Sequence, residues 1–287
     1  MTSTTNSTAG TATDDPADGI DRAAILQALT TEGITALKGA FSTEWADRMN
    51  EDIEAAFEEA IAREGGAVGR GPNRYYVEIH PEQLRGFLDI VSHPWFRAVC
   101  RTVLGPDYKV LELGFDIPFA GAQNQPWHRD FPSPPETYRD RRLTSLAFNL
   151  TAVDTAEDMG PFEIALGTQF EAGLDWEHQM FPPRSEYPPF ESLAVRKYPQ
   201  RGDISVRSAL TVHRGTRNES QKSRPVLVVG VDAPGAGHDA FHDMAMTRAY
   251  YDAIPEDVRG NLLGRVVDRL EPIVQQHTIE GLVMGEA

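Results

Sequence analysis

Apolar residues recur at helical spacing near the start of this chain, alternate at period two through its middle, and return to helical spacing towards its end. Asp21 is placed to cap a helix over 22–32, with Ala24, Ile25, Ala28 and Leu29 on one face, and Gly33 stops it. Ile34, Thr35, Ala36 and Leu37 read as a short strand. Ser42 caps a second helix, on which Trp45, Met49, Ile53, Ala56, Phe57 and Ile61 form an apolar stripe for packing. Residues 75–79 read as a strand, and 81–104 as two short helices broken near His93-Pro94, since the residue before proline disfavours helix.

From 109 to 119 apolar and other residues alternate, and 143–153 do so loosely. Shorter β-like runs follow at 162–166, 194–197, 204–207 and 226–231, punctuated by Gly, Pro and Asp. Many short strands without intervening helices argue for a sandwich or barrel. Beyond Asp239 the spacing predicts helices over 244–251 and 257–270. Residues 1–18 hold little that could be buried and read as a disordered tail. With no internal repeat and no shift of composition, 19–287 reads as one domain, with its β core at about 107–235.

Composition narrows the function classes. The 287 residues carry 27 basic and 43 acidic side chains, a formal charge of −16, which repels phosphate backbones and argues against a nucleic-acid partner. The one cysteine, Cys100, forbids an intrachain disulfide and sits on an apolar helix face, so it reads as a buried small hydrophobe in a reducing compartment. No apolar run approaches the roughly 18 residues that span a bilayer, and no secretory signal opens the chain. A cytoplasmic protein acting on a small molecule, with no membrane or nucleic-acid partner, is the expectation.

Candidate chemistry is concentrated at Gln125-Pro126-Trp127-His128-Arg129-Asp130. In extended backbone, His128 and Asp130 project to one side, with Trp127 and Arg129 opposite. His-x-Asp alone is a common pair. A third ligand is offered by His213, which ends the strand-like run from Val206. Two imidazoles and one carboxylate leave metal positions open, which suits non-haem iron(II), although zinc accepts the same donors. Arg224 separates the two. It follows His213 by eleven residues, across the polar turn 216–223, and opens the apolar run 225–231. If the two strands pair as a hairpin, Arg224 faces the same cavity, and a buried guanidinium there needs a carboxylate. A dicarboxylate that chelates iron at one end supplies one.

These residues resemble the phytanoyl-CoA dioxygenase-type iron(II)/2-oxoglutarate oxygenases, whose pattern is His-x-Asp, a distal His, and an Arg ten or eleven residues on; here His128, Asp130, His213 and Arg224. Gly160, Pro161 and Gly167 match a stretch between them, whereas Leu166, Thr168 and Gln169 stand where the family usually has Pro, Ser and His. The opening 33–42 is similar as well, and the likeness runs from about 20 to 235. The resemblance implies a mainly β fold with flanking α-helices, a double-stranded β-helix (jelly roll, cupin-like). It implies Fe(II), O2 and 2-oxoglutarate as co-substrate, with Arg224 on the far carboxylate. It also implies C–H hydroxylation of a small molecule, and a role in biosynthesis is the expectation. Asn149, Thr144, and Gln123 or Gln125 are candidates to assist the co-substrate. Relatives that halogenate lack the carboxylate that Asp130 supplies, which favours hydroxylation; desaturation, epimerisation and ring formation use the same triad.

Substrate contacts are expected from Arg74 and Tyr76, from Phe131, from a lid loop at 132–142, and from Arg207, which precedes His213 by six and so would share its face. His238 and His242 have the spacing of a helical metal pair but no further ligand nearby; His80, His93, His178 and His277 read as solvated or capping residues. Two rivals stand beside the oxygenase: a metal-binding jelly roll without redox activity, and a zinc hydrolase, for which no general base is evident. Oligomeric state is open.

Overall fold

The computed structural model describes residues 19–275; the expected tail at 1–18 and His277 lie outside the described residues. The Asp21 side chain accepts from the Ala24 N–H and starts α1 (Arg22–Thr31), which runs into β1 (Ile34–Leu37). Ser42 caps α2 (Thr43–Ile61) by accepting from Trp45 N–H. The α2 stripe is buried at Trp45, Met49, Ile53 and Ala56, but Ile61, expected on it, lies at the helix end and is 55% exposed. There follow β2 (Val68–Gly69), β3 (Arg74–Glu78), α3 (Phe87–Ser92) and α4 (Pro94–Leu104), the last two divided at His93, whose imidazole caps α4. The central elements are β4 (Lys109–Pro118), α5 (Pro135–Arg139), β5 (Ser145–Thr151), β6 (Phe162–Ala165), α6 (Tyr187–Leu193), β7 (Ala194–Lys197), β8 (Ile204–Ser208), β9 (His213–Gly215) and β10 (Val226–Asp232).

Seven strands form one antiparallel sheet in the order β1-β8-β5-β10-β4-β3-β2, and β7-β6-β9 form a smaller one. The fold is the expected jelly roll with flanking helices. Period-two alternation divides the large sheet cleanly. Leu113, Phe115 and Ile117, Leu146, Phe148 and Leu150, Val206, and Leu227 and Val229 join one apolar cluster with Ile53, Phe87, Ile90 and Phe96 of the helices. Phe148 and Phe96 meet with ring centroids 4.2 Å apart; burying each ring stabilises the fold by about 1.5–3 kcal/mol. The opposite face carries Arg74, Tyr76, Glu78, Glu112, Asp116, Asn149, Ser205 and Arg207, and these line a cavity. A second, small cluster of Trp127, Ala165, Trp176, Phe190 and Val212 backs the smaller sheet.

Three expectations fail here. His213 begins β9 rather than ending a strand, because the chain turns after Ser208. The strands bearing His213 and Arg224 do not pair as a hairpin: β9 pairs with β6, whereas β10 lies between β5 and β4. Residues 216–223 are thus a crossover between sheets, and Arg224 reaches the cavity from the opposite wall. The helices expected over 244–251 and 257–270 are largely replaced by β11 (Ala245–Thr247), α7 (Arg248–Ala253), α8 (Glu256–Arg259) and β12 (Arg265–Val267), because β11 and β12 pair in parallel. Cys100 is buried, and among the described residues no helix is long and apolar enough to cross a membrane.

Candidate metal centre

His128 and His213 face each other across an isolated antiparallel bridge, each N–H donating to the other's carbonyl at 3.0 and 2.8 Å. Asp130 N–H donates to Ala209 O at 2.9 Å, so residues 128–130 are held extended along the segment that carries His213. Trp127 and Arg129 turn the other way and are fully buried; the Arg129 guanidinium lies 4.3 Å from the Trp176 ring centroid and donates to Glu171 O at 2.7 Å. One ligand atom from each of His128, Asp130 and His213 lies within 4.8 Å of the others.

Two backbone carbonyls orient both imidazoles alike. Nδ1 of His128 lies 2.9 Å from Pro126 O, and Nδ1 of His213 lies 2.8 Å from Thr211 O. A carbonyl only accepts, so each Nδ1 carries the proton and each Nε2 keeps a lone pair. Burial holds the His128 imidazole well below its usual range, hence neutral. Burial alone would raise the Asp130 carboxyl, but the Arg207 guanidinium overrides it and holds the carboxyl far below its usual range. The donor set, two Nε2 lone pairs and a carboxylate, fits a divalent metal.

Arg207, expected at the substrate, lines the cavity; its Nη2 donates to both oxygens of Asp130, at 3.0 and 2.9 Å, and its Nη1 to Asn149 Oδ1. That engagement also ties up the Asn149 carbonyl expected to assist the co-substrate, though Asn149 lines the cavity. Arg224 is buried and lines the same cavity as the triad; its Nε donates to Met159 O at 3.2 Å. Among the described residues no carboxylate is ion-paired with it, because Asp116, its acidic neighbour, pairs with Arg74 at 3.1 Å. Burial and the nearby Arg74 charge pull the Arg224 guanidinium down to about 10. A carboxylate entering the cavity would find that cation without its own.

The cavity has a volume of about 680 Å³ and two chemically distinct ends. At one, Arg224 lies near Arg74, whose guanidinium is fixed by Asp116, Gln125 Oε1 (3.2 Å) and Thr216 O (3.1 Å). At the other, on the Asp130 side, Tyr76 donates to Glu112, and His242 lies between Glu78 and Glu112. Phe131 lines this end too, stacked on His238 at 4.4 Å. Arg74 and Tyr76 therefore line the cavity as expected, but Arg74 is committed to protein partners.

Other expected residues are elsewhere. Gln123 is exposed and donates to Gly121 O, because the loop before Pro126 turns its side chain outward. Thr144 is buried just before β5, outside the cavity lining, with its backbone carbonyl bound by Ala233 N–H. The lid loop at 132–142 folds into α5 and buries Thr137 and Tyr138; none of it lines the cavity. His238 and His242 are not on a helix: His238 Nδ1 bonds Asp232 at 2.9 Å. His80 is buried, accepting from Ala245 N–H. Glu78, Glu112 and His242 were missed as cavity residues. Glu112 shares parity with Asp116 on β4, and that was its one available signal.

Comparison with known proteins places these features. The family model for phytanoyl-CoA dioxygenase matches residues 29–226. No curated protein sequence matches the chain. The fold is similar to that of the non-heme alpha-ketoglutarate-dependent carbocyclase SnoK from nogalamycin biosynthesis, with a TM-score of 0.60, 16% identity, and coverage of 78% of this chain and 90% of that one. It is also similar to the epimerase SnoN in complex with Fe3+, alpha-ketoglutarate and nogalamycin RO (TM-score 0.57, 17% identity, 74% and 85% covered). AviO1 from Streptomyces viridochromogenes Tue57 gives a TM-score of 0.56 at 18% identity, with 75% and 96% covered. At these identities the likeness speaks for the fold.

Proposed function

The chain belongs to the phytanoyl-CoA dioxygenase family, and from that premise we propose that it hydroxylates an unactivated C–H bond of a small molecule in secondary metabolism. It is an Fe/2-oxoglutarate-dependent enzyme of the oxygenase type. In this reading His128, Asp130 and His213 hold the iron, and Arg224 takes the far carboxylate of 2-oxoglutarate. When bound, iron(II) with 2-oxoglutarate and O2 supplies oxidation of a C–H bond coupled to decarboxylation of the oxo acid to succinate.

The observation that carries the reading is Arg224: a buried guanidinium with no carboxylate paired to it among the described residues, facing the cavity that also holds the triad. A buried cation is costly without a counter-charge, and a guanidinium receives a carboxylate bidentately. The chain's other side chains have supporting tasks. The Pro126 and Thr211 carbonyls hold the imidazoles with Nε2 free. Arg207 holds the Asp130 carboxylate in its ionised form, and Phe162, its ring 5.2 Å from that of His213, lines the cavity with Met180. Asp130 retains the carboxylate that a chloride-binding site would lack, which supports oxygen transfer. A second reading, epimerisation or ring formation at the same centre, draws support from the likeness to SnoN and SnoK.

The test is succinate formation from 2-oxoglutarate by iron(II)-loaded protein with a panel of natural-product scaffolds, with product mass recorded. A gain of one oxygen supports hydroxylation; an unchanged mass or loss of two hydrogens supports the second reading; succinate formed equally well without iron refutes both.

A further inference from the structure

Arg207 reaches Asp130 from the large sheet, where it stands on β8 opposite Ala147 of β5 and Ile34 of β1. A single nitrogen, Nη2, donates to both carboxylate oxygens, at 3.0 Å to Oδ1 and 2.9 Å to Oδ2. A nitrogen nearly equidistant from the two oxygens stands in the fork between them, the place a metal would take if the carboxylate chelated it. Oδ1 meanwhile faces His213 Nε2 across 3.3 Å. His213 carries its proton on Nδ1, so these two atoms present lone pairs to each other, and the gap between them suits a cation.

The guanidinium is fixed in that fork from several sides. Its Nη1 donates to Asn149 Oδ1, and Asn149 is a β5 residue paired in register with Ser205 and Val228, so the anchor stands on sheet rather than on a loop. The Phe162 ring lies 5.3 Å from the guanidinium carbon. The Nε–H is buried without a hydrogen-bond partner, so the two Nη atoms, and not the stem, set the orientation of the group. A carboxylate offers about four lone-pair sites. Nη2 takes one on each oxygen, and Oδ1 keeps the one directed at His213.

We propose that Arg207 is a positioning residue that makes Asp130 a one-oxygen metal ligand; the proposal rests on the oxygenase reading for the identity of the metal and the co-substrate. Two imidazoles and one carboxylate oxygen leave three positions of a six-coordinate ion open. An oxo acid that chelates takes two of them, and one is left for O2. A carboxylate that chelated as well would take that last position. With the guanidinium in the fork a second cation is repelled from it, and Oδ1 is what the metal meets. This goes beyond keeping Asp130 ionised, which a cation at any angle to the carboxylate would do.

The test uses the full chain, anaerobic and loaded with iron(II) and 2-oxoglutarate, titrated with nitric oxide, which takes the place of O2 and gives a characteristic electron paramagnetic resonance signal. Arg207→Met is expected to keep the iron–2-oxoglutarate charge-transfer band yet to need at least about tenfold more nitric oxide than the parent for half the signal. Loss of positive charge alone would make the iron a better donor to nitric oxide and shift the titration the opposite way. If the variant does not fold, a crystal structure of the manganese(II)-loaded parent decides, with Asp130 expected to bind through Oδ1 alone and Nη2 still in the fork. The proposal is overturned if the variant takes up nitric oxide as readily as the parent, if its charge-transfer band is lost together with the signal, or if Asp130 chelates manganese in the parent. Failure of the underlying reading is seen separately, as absence of the charge-transfer band in the parent, since the manganese(II) structure reads how Asp130 binds whether or not that band forms.

Discussion

Replacing Arg207 by Met removes the guanidinium from Asp130 while keeping a side chain of similar reach. The carboxylate then loses two charge-assisted bonds, at 3.0 and 2.9 Å. Breaking a buried pair by removing one partner costs about 3–5 kcal/mol, chiefly because the other charge stays buried. The Arg207 side chain is 7% exposed but that of Asp130 is 19%, which places the cost near the lower end, at about 3 kcal/mol. For a chain of 287 residues that is a fall in melting temperature of roughly 5 °C in metal-free protein. A divalent metal supplies the missing counter-charge to the same carboxylate. With saturating cobalt(II), chosen because it is redox-stable, the deficit should shrink to less than half. Scanning calorimetry of both proteins with and without metal checks this. The reasoning is refuted if the metal-free variant melts with the parent, or if the deficit is undiminished when metal is bound.

Other substitutions separate the remaining parts of the account. Arg224→Met should raise the 2-oxoglutarate concentration for half-maximal succinate formation by about a hundredfold, the loss of a buried charge partner, measured by steady-state kinetics. Phe148→Ala should lower the urea stability by about 3–5 kcal/mol through loss of the Phe96 contact and the cavity left behind, without altering the metal-binding stoichiometry. Burial places the folded pKa of His128 below its unfolded value, so its contribution is present above about pH 6.5 and lost as pH falls through that value towards the folded one. Metal-free protein should therefore lose up to about 1.4 kcal/mol per pH unit below pH 6.5 from this residue, and His128→Asn should flatten that slope in urea titrations across pH.

What was legible in the sequence followed local periodicity. Alternation along 109–119 and the apolar run at 226–231 announced strands, caps at Asp21 and Ser42 announced helices, and the two-residue spacing of His128 and Asp130 implied a shared side. Which sheet a strand joins is not a local property. Local spacing makes the run after Arg224 a partner for the His213 strand, yet long-range pairing puts them in opposite sheets. Parity also breaks at turns: counting six residues from Arg207 to His213 crosses the turn after Ser208, so the two do not share a strand face, and Arg207 meets Asp130 for a different reason. Residues 244–251 have helical spacing, but Ala245–Thr247 is captured by Arg265–Val267, an instance of tertiary pairing overriding propensity. Glu112 alternates with the apolar core positions of β4, and nothing in that alternation distinguishes a solvent face from a cavity wall.

The central claim is that His128, Asp130, His213 and Arg224 together hold iron(II) and 2-oxoglutarate. Anaerobic titration of 2-oxoglutarate into the iron(II) protein, followed by visible absorption, tests it most directly. The account predicts a metal-to-ligand charge-transfer band in the parent, none in His213→Ala, and in Arg224→Met the same band only at far higher 2-oxoglutarate. A parent protein that forms no band at saturating iron and co-substrate, or an Arg224→Met variant that titrates like the parent, would contradict it.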